Sequence, residues 1–269
     1  MSVDKYNATV IQKILVTPGL MIIRAKSDDI QLDFKPGQYT VLGLTSNEPR
    51  IKESDPEDKT YDKEILLKRA YSISSASIEK GYLEFYVSIV RSGQLTPRLF
   101  ALERGDRLFI GKKAVGLFTL DKAPRHKNIL FIATGTGLAP YMSMIRTELN
   151  LKEPRKFVVV QGARYSWDLG YRDELATLNR ITDLFYYLPA ITQPSSDLSW
   201  SGFTGRIQPL VESGVIEEKT GLELTPENFD VFLCGNPLMV EGVSEILVSK
   251  GFSTGEKKET GNVHREKYW

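Results

Sequence analysis

The chain has very little of what builds disulfide-linked or metal-binding proteins. Its 269 residues include one cysteine, Cys234, and two histidines, His126 and His264. A single thiol excludes a disulfide framework, a four-cysteine zinc site and an iron–sulfur cluster built within this chain. Two isolated histidines do not form a zinc-ligand pattern. We therefore predict that no metal is bound.

An excess of charge and long apolar runs are lacking as well. The 35 basic and 34 acidic residues leave a formal net charge of +1, which argues against a surface that coats nucleic acid. No apolar run approaches the roughly 20 residues that span a bilayer. The first residues lack the basic and apolar regions of a signal peptide. The sequence predicts a soluble, cytoplasmic protein that binds neither nucleic acid nor membrane.

What is present falls into two halves with different patterns. Up to Phe118, short alternating apolar runs are separated by turn residues, which is typical of a small antiparallel β-barrel. One short helix is predicted from Pro97 to about Leu102, and the polar stretch Thr45–Lys63 is interpreted as a surface insertion. The predicted strands of this half are Thr9–Val16, Leu20–Ala25, Tyr39–Leu44, Arg69–Ser74, Gly81–Val90 and Arg107–Gly111.

After Pro124, continuous apolar runs alternate with helical patterns, which indicates βαβ units and a doubly wound parallel sheet. The predicted strands are Asn128–Ala133, Phe157–Gln161, Leu184–Ile191 and Asp230–Leu233, and the predicted helices are Pro140–Leu149, Arg172–Arg180 and Pro237–Ser249. The sequence thus predicts two domains, an antiparallel β-barrel over residues 1–120 and an α/β domain over residues 121–269.

A glycine-containing turn follows the first strand of the α/β half. Gly135-Thr136-Gly137 comes directly after Asn128–Ala133, and Pro140 opens the next helix. Glycines let a backbone approach a phosphate, and a helix N-terminus offers free N–H groups. The third glycine of a dinucleotide fingerprint is absent, so a plain strand-to-helix turn stays an alternative. No Gly-Lys-Ser/Thr follows, which excludes a P-loop.

The end of the next strand indicates which nucleotide is bound. After Phe157–Gln161 the chain continues as Gly162-Ala163-Arg164, with no acidic residue at the strand end. NAD-binding folds usually place Asp or Glu there for the ribose 2′-hydroxyl, whereas an arginine suits a 2′-phosphate. Arg164 therefore favours NADP(H), and a solvated loop arginine is the alternative.

Two segments of the barrel half have side chains suited to a flavin. Arg69-Ala70-Tyr71-Ser72 offers an arginine for phosphate, a ring for stacking and a hydroxyl for a ring nitrogen. On a strand Arg69 and Tyr71 share one face, so Ser72 would reach the flavin through its backbone N–H or a twist. Taken alone, this tetrad fits a half-buried edge strand better. Gly93-Gln94-Leu95-Thr96-Pro97 predicts a helix capped by Thr96, which suits a phosphate and which simple capping also explains.

Taken in order, these motifs resemble the bacterial-type ferredoxin/flavodoxin–NADP⁺ reductases. The resemblance covers nearly the whole chain and adds Cys234-Gly235-Asn236-Pro237 and the terminal Tyr268-Trp269 to the segments above. It implies an enzyme with FAD in the barrel and NADP in the α/β domain. It also implies that electrons pass between NADP(H) and a transiently bound ferredoxin or flavodoxin, with hydride transfer between nicotinamide C4 and flavin N5.

The resemblance also implies roles for individual residues. The catalytic residues would be Ser72, Cys234 and Glu266. Tyr268 would cover the flavin and Trp269 would stack on adenine, so that the C-terminal tail returns to the flavin; ordinary packing of the last strand is the alternative. The remaining cofactor contacts would be Arg69, Ala70, Tyr71, Ser72, Tyr86, Gln94, Leu95, Thr96 and Thr136 for FAD, Ala163, Arg164 and Arg206 for the 2′-phosphate, and Cys234, Gly235, Asn236 and Pro237 for the nicotinamide.

The chain departs from the family pattern at two places. Thr192-Gln193 stands where the family usually has Ser-Arg, so one arginine of the 2′-phosphate clamp is missing. The insertion Thr45–Lys63 is longer than expected, and it either shapes partner docking or is inert. Two other functions stay open: an NAD(P)H-dependent flavin reductase or oxygenase reductase component, and a non-catalytic nucleotide-binding module.

Overall fold

The computed structural model describes residues 5–28, 31–57, 59, 61–255 and 261–268. Its contacts divide the chain into two compact units. The first unit comprises the described residues up to Thr119 together with Met142–Thr147, and the second comprises the others from Leu120 onward. No helix among the described residues is long and apolar enough to cross a membrane.

The first unit is an antiparallel barrel of six strands in the order β4-β3-β6-β1-β2-β5. A bridge between Ile73 and Phe85 joins the two outer strands, so the sheet closes on itself. The fully buried side chains of this unit include Ile23, Leu42 and Leu108. The prediction of a barrel is confirmed. The strands are β1 (Ala8–Thr17), β2 (Leu20–Ser27), β3 (Tyr39–Thr45), β4 (Leu66–Ser72), β5 (Leu83–Ser88) and β6 (Arg107–Ile110).

One short helix, α1 (Thr96–Ala101), packs into the barrel core through Leu99 and Phe100. The prediction that Thr96 caps this helix is wrong, because the N-cap residue is Leu95 and no side chain caps the helix. The Thr96 hydroxyl instead accepts from the Val90 N–H at 3.0 Å and donates to the Val90 carbonyl at 3.1 Å. Because both bonds join the Thr96 hydroxyl to the backbone of Val90, Thr96 closes the loop between β5 and α1.

The second unit is a six-stranded parallel sheet in the order β10-β9-β8-β7-β11-β12. Its three central strands are almost wholly buried, which explains their continuous apolar sequences. The predicted doubly wound α/β class is confirmed. The strands are β7 (Asn128–Thr134), β8 (Phe157–Ala163), β9 (Phe185–Ile191), β10 (Phe203–Thr204), β11 (Phe229–Gly235) and β12 (Val263–Lys267).

In the part of the chain that the structure describes, five α-helices connect these strands, and three of them match the predicted ones within one or two residues. The turn before α2 is a 3₁₀ helix, Gly135–Leu138. The two short helices α4 and α5 and the edge strands β10 and β12 were not predicted. The helices are α2 (Ala139–Glu148), α3 (Arg172–Ile181), α4 (Ile207–Glu212), α5 (Val215–Thr220) and α6 (Pro237–Ser249).

Candidate functional site

Three segments that are far apart in the chain meet at the carboxyl edge of the parallel sheet. Cys234 near the end of β11 pairs with Ala133 of β7 on one side and with Glu266 of β12 on the other. The backbone N–H of Tyr268 then donates to the Gly235 carbonyl at 3.2 Å. Ligands of α/β sheets bind beyond the carboxyl ends of the strands, so this edge is a candidate site.

Two glycines allow these segments to approach one another closely. A Cβ atom at Gly137 would lie 2.3 Å from the Cys234 carbonyl oxygen. A Cβ atom at Gly235, whose φ is +130°, would lie 2.4 Å from the Thr134 Oγ1. That same hydroxyl accepts a hydrogen bond from the Asn236 N–H at 2.9 Å. Gly137 and Gly235 are therefore required by the packing of the protein itself, whatever ligand the edge binds.

The start of α6 is fixed at the same edge by an asparagine cap. The Asn236 side-chain oxygen accepts from the N–H groups of Leu238 at 2.9 Å and Met239 at 3.4 Å. Pro237 is the first helical residue, where its missing N–H costs no hydrogen bond. The Asn-Pro pair is the signal in the sequence that marks this capped helix start. The cap holds Asn236 and Pro237 against the end of β11.

The titratable groups at this edge keep their protons more strongly than usual. Cys234 is fully buried, and burial together with the negative charge of Glu266 raises the pKa of its thiol well above the usual value. Burial also raises the pKa of the Glu266 carboxyl, an effect that a hydrogen bond with the Tyr268 side chain partly offsets. Burial likewise raises the pKa of Tyr141, which is fully buried. Because its thiol holds its proton, Cys234 is not an activated nucleophile.

A second group of predicted residues lies at the ends of β8, β9 and β10. Ala163 pairs with Ile191, and Ile191 pairs with Thr204, so the loops that follow these strands are neighbours. The Gln193 N–H donates to the Arg164 carbonyl at 2.9 Å, and the exposed Arg206 precedes α4. The structure therefore places Arg164, Gln193 and Arg206 at one edge of the sheet.

Aromatic rings border this second group. The Arg164 guanidinium lies 5.3 Å from the centre of the Tyr165 ring. The Tyr165 ring stacks on Trp167 with centroids 4.8 Å apart. The Arg172 guanidinium lies 5.1 Å from the Trp200 ring. Planar groups and guanidinium groups are therefore available here for a nucleotide.

In the first unit, the exposure of the side chains in Arg69-Ala70-Tyr71-Ser72, at the end of β4, alternates less regularly than predicted. Lys68, Arg69 and Ala70 are all exposed, Tyr71 is half-buried against the barrel core, and Ser72 is buried. Burial raises the pKa of the Tyr71 phenol, although the charge of Arg69 opposes this shift. Within the described part of the chain, the Arg69 side chain makes a single hydrogen bond, to the Lys68 carbonyl at 2.7 Å.

The other predicted FAD contacts lie on β5 and before α1. The bridge between Ile73 and Phe85 brings Ser72, at the end of β4, next to Tyr86 in β5. The Leu95 side chain is 3% exposed and belongs to the barrel core, so only its backbone is available to a ligand. The backbone N–H groups of Gln94, Leu95 and Thr96 donate to no acceptor among the residues that the structure describes. Trp269 lies outside the described residues.

Comparison with known proteins identifies the family. A model of the oxidoreductase NAD-binding domain matches residues 131–245. The flavodoxin/ferredoxin–NADP reductase of Buchnera aphidicola subsp. Baizongia pistaciae is 32% identical over 88% of both chains. The enzyme of that name from Escherichia coli K12 is 34% identical over 78% of this chain and 77% of its own. This chain belongs to the flavodoxin/ferredoxin–NADP reductase family.

The fold of this reductase agrees with that assignment. The crystal structure of a ferredoxin NADP⁺ reductase from Neisseria gonorrhoeae with bound FAD and NADP superimposes with a TM-score of 0.82. At 23% identity, this match covers 98% of the present chain and 99% of the other, and it shows that the two share one fold. The resemblance inferred from the ordered sequence motifs is therefore confirmed.

Proposed function

We propose that this reductase transfers electrons between NADP(H) and a flavodoxin or ferredoxin through a bound FAD. The observation that carries the proposal is the convergence of Cys234, Glu266 and Tyr268 at one sheet edge in a chain of this family. FAD, when bound, supplies both the acceptance of a hydride from nicotinamide and the release of single electrons to a carrier.

The barrel has donors that fit FAD. Arg69 is exposed, and no carboxylate is paired with it among the residues that the structure describes, so its charge is available to a phosphate. The N–H groups of Gln94, Leu95 and Thr96 supply further donors. The flat ring of Tyr71 can lie against a flavin, with Ser72 and Tyr86 beside it. We propose that the first unit is the FAD domain.

The parallel sheet has groups that fit NADP. Arg164 and Arg206 are exposed, and across the described ranges neither makes an ion pair, so both can bind a 2′-phosphate. Cys234 and Glu266, which pair across β11 and β12, would border the nicotinamide. Thr136 would lie near the flavin. The second unit is accordingly proposed as the NADP domain, with the C-terminal tail covering the flavin.

A basic surface on the barrel supports an acidic protein carrier as the partner. Lys68, Lys112 and Lys113 are exposed near the ends of β4 and β6, and the Lys68 Nζ lies 4.3 Å from the centre of the Phe109 ring. Val115, which is 45% exposed, and Leu117, which is 80% exposed, follow Lys113 in the chain. Exposed apolar side chains that follow exposed lysines in the chain suit transient docking that is steered by charge.

A set of assays on the purified protein tests the proposal. We expect a yellow protein that reduces a small-molecule acceptor faster with NADPH than with NADH, and that passes electrons to ferredoxins or flavodoxins at a rate that falls as salt rises. A protein that neither retains nor binds FAD would instead be a non-catalytic nucleotide-binding module. Reduction of free flavin without transfer to any protein carrier would identify a flavin reductase.

A further inference from the structure

The long connection between β3 and β4, residues 46–65, is held through its part 46–57 against the segment that precedes α1. Its ends are joined by a hydrogen bond from the Ser46 N–H to the Ile65 carbonyl, at 2.8 Å. Its middle contacts the loop that precedes α1 and the start of that helix. The Ile51 N–H donates to the Pro97 carbonyl at 3.2 Å, and the Asp55 N–H donates to the Arg91 carbonyl at 3.1 Å. These bonds fix both ends of the segment 91–97.

A buried guanidinium makes the central contact between the two segments. The Arg98 side chain is 3% exposed and binds both oxygens of Glu57, at 3.0 and 2.7 Å. It also donates to the Gln94 carbonyl at 2.7 Å and to the Ser46 carbonyl at 2.6 Å. One side chain therefore connects the beginning of the long connection, its Glu57 and the backbone of Gln94.

The Glu57 carboxylate is the counter-charge that this arrangement needs. A buried guanidinium without a partner is strongly unfavourable. The hydrogen bond and charge of Arg98 lower the pKa of Glu57, so the carboxylate stays ionised. Arg50 approaches the same carboxylate at 3.5 Å and donates to the carbonyls of Asp55 and Arg91 at 2.9 and 3.1 Å. Two guanidinium groups thus share one carboxylate under the segment 91–97.

The contact with Gln94 determines how the neighbouring peptide is oriented. In a trans peptide the C=O and N–H groups point in opposite directions. Because Arg98 binds the Gln94 carbonyl, the N–H of Leu95 is held on the opposite side of that peptide. Like the N–H groups of Gln94 and Thr96, this N–H donates to no acceptor among the described residues. Donors that are oriented before binding reduce the ordering cost of binding an anion.

We propose that residues 46–57 form a strap that holds Gln94, Leu95 and Thr96 in position for the phosphates of FAD, with Glu57 as a positioning residue that acts through Arg98. This inference rests on the proposed binding of FAD. Glu57 would act on the cofactor through Arg98, which donates to both of its carboxylate oxygens. The strap should therefore affect the phosphate end of the cofactor and leave the flavin ring end unchanged.

The test compares FAD with riboflavin, which has the same ring and no phosphate. After removal of bound flavin, the dissociation constants of both are measured by fluorescence titration for the wild-type protein, Glu57→Gln and Glu53→Gln. Glu53 is the matched control, because it is an exposed glutamate of the same connection with no ion pair in the described structure. For Glu57→Gln we expect the dissociation constant of FAD to rise about tenfold, the loss of roughly one charge-assisted contact, with riboflavin binding unchanged.

Other outcomes distinguish the strap from a purely structural role. An equal loss of affinity for FAD and riboflavin, or a lower melting temperature with unchanged FAD affinity, would overturn the proposal. Glu57→Asp keeps the charge and should recover part of the FAD affinity. If Glu57→Gln does not fold, Arg50→Gln loosens the strap while leaving the pair of Arg98 and Glu57 intact, and unchanged FAD affinity in that variant refutes the strap. A wild-type protein that binds no FAD would refute the proposed function itself.

Discussion

Replacing Gly137 with alanine should disturb the nicotinamide side of the reductase. The added methyl group would lie 2.3 Å from the Cys234 carbonyl oxygen and 2.5 Å from its carbon. Ordinary contacts of a Cβ atom begin near 3.4 Å, so the two backbones must separate by roughly 1 Å. Overpacking of this kind typically costs about 1–3 kcal/mol. A misplacement of about 1 Å can also slow a positioned reaction by about a hundredfold.

Three measurements on Gly137→Ala test this reasoning: the melting temperature, FAD content and the rate of flavin reduction by NADPH. For a domain of about 150 residues, each kcal/mol lowers the melting temperature by about 2–4 °C. Gly221→Ala is the control, because Gly221 ends α5 at φ +68° with no atom near its Cβ position, so strain of about 1–2 kcal/mol is its only cost. Both variants should lose stability and keep FAD, but only Gly137→Ala should reduce flavin slowly. Wild-type reduction by Gly137→Ala would refute the argument.

Three further predictions concern charged groups. Arg69→Ala should weaken FAD binding by about 1.5–3 kcal/mol in a fluorescence titration, and full retention of tightly bound FAD would contradict its role at the phosphate. Arg164→Ala should raise KM for NADPH and leave the NADH reaction nearly unchanged; an equal rise for both would place this arginine on the shared pyrophosphate. Because burial raises the pKa of Glu266 above 4.5, the folded protein loses stability as pH rises from 4.5 through the raised pKa. Glu266→Gln should therefore stabilise the protein increasingly over that range, and a melting-temperature difference that is independent of pH would contradict the shift.

The barrel and the parallel sheet were predictable because their apolar patterns differ. Alternating runs indicated strands with one buried face, and the run Asn128–Ala133 indicated a strand buried on both faces. Strand β12 was missed because it is an edge strand whose sequence, Val-His-Arg-Glu-Lys, has three exposed or half-exposed charges. Only its pairing with β11 defines it as a strand. Helices α4 and α5 have six residues each, too few for helical periodicity to be recognised.

The candidate site was predictable by resemblance and not by spacing. Thr134, Cys234 and Glu266 are separated by 100 and 32 positions, and their meeting depends on the strand order of the sheet. The glycine turn shows the same limit. The sequence suggested that its glycines allow a phosphate to approach, while the structure places Gly137 against the backbone of Cys234. A glycine in a strand-to-helix turn indicates a close approach, but it does not say which group approaches.

The insertion Thr45–Lys63 shows that a polar composition does not predict whether a charged side chain is exposed to solvent or paired with a buried charge. Its polar residues indicated a surface segment, yet Glu57 is paired with the buried Arg98, which lies 41 positions further along the chain. A buried ion pair is weak evidence for stability, because apolar side chains of similar volume often stabilise a fold equally well. An apolar pair could not donate to the Gln94 carbonyl, whereas Arg98 does so at 2.7 Å. The pair of Arg98 and Glu57 is therefore better explained by the backbone geometry that it imposes on Gln94 than by the stability that it adds.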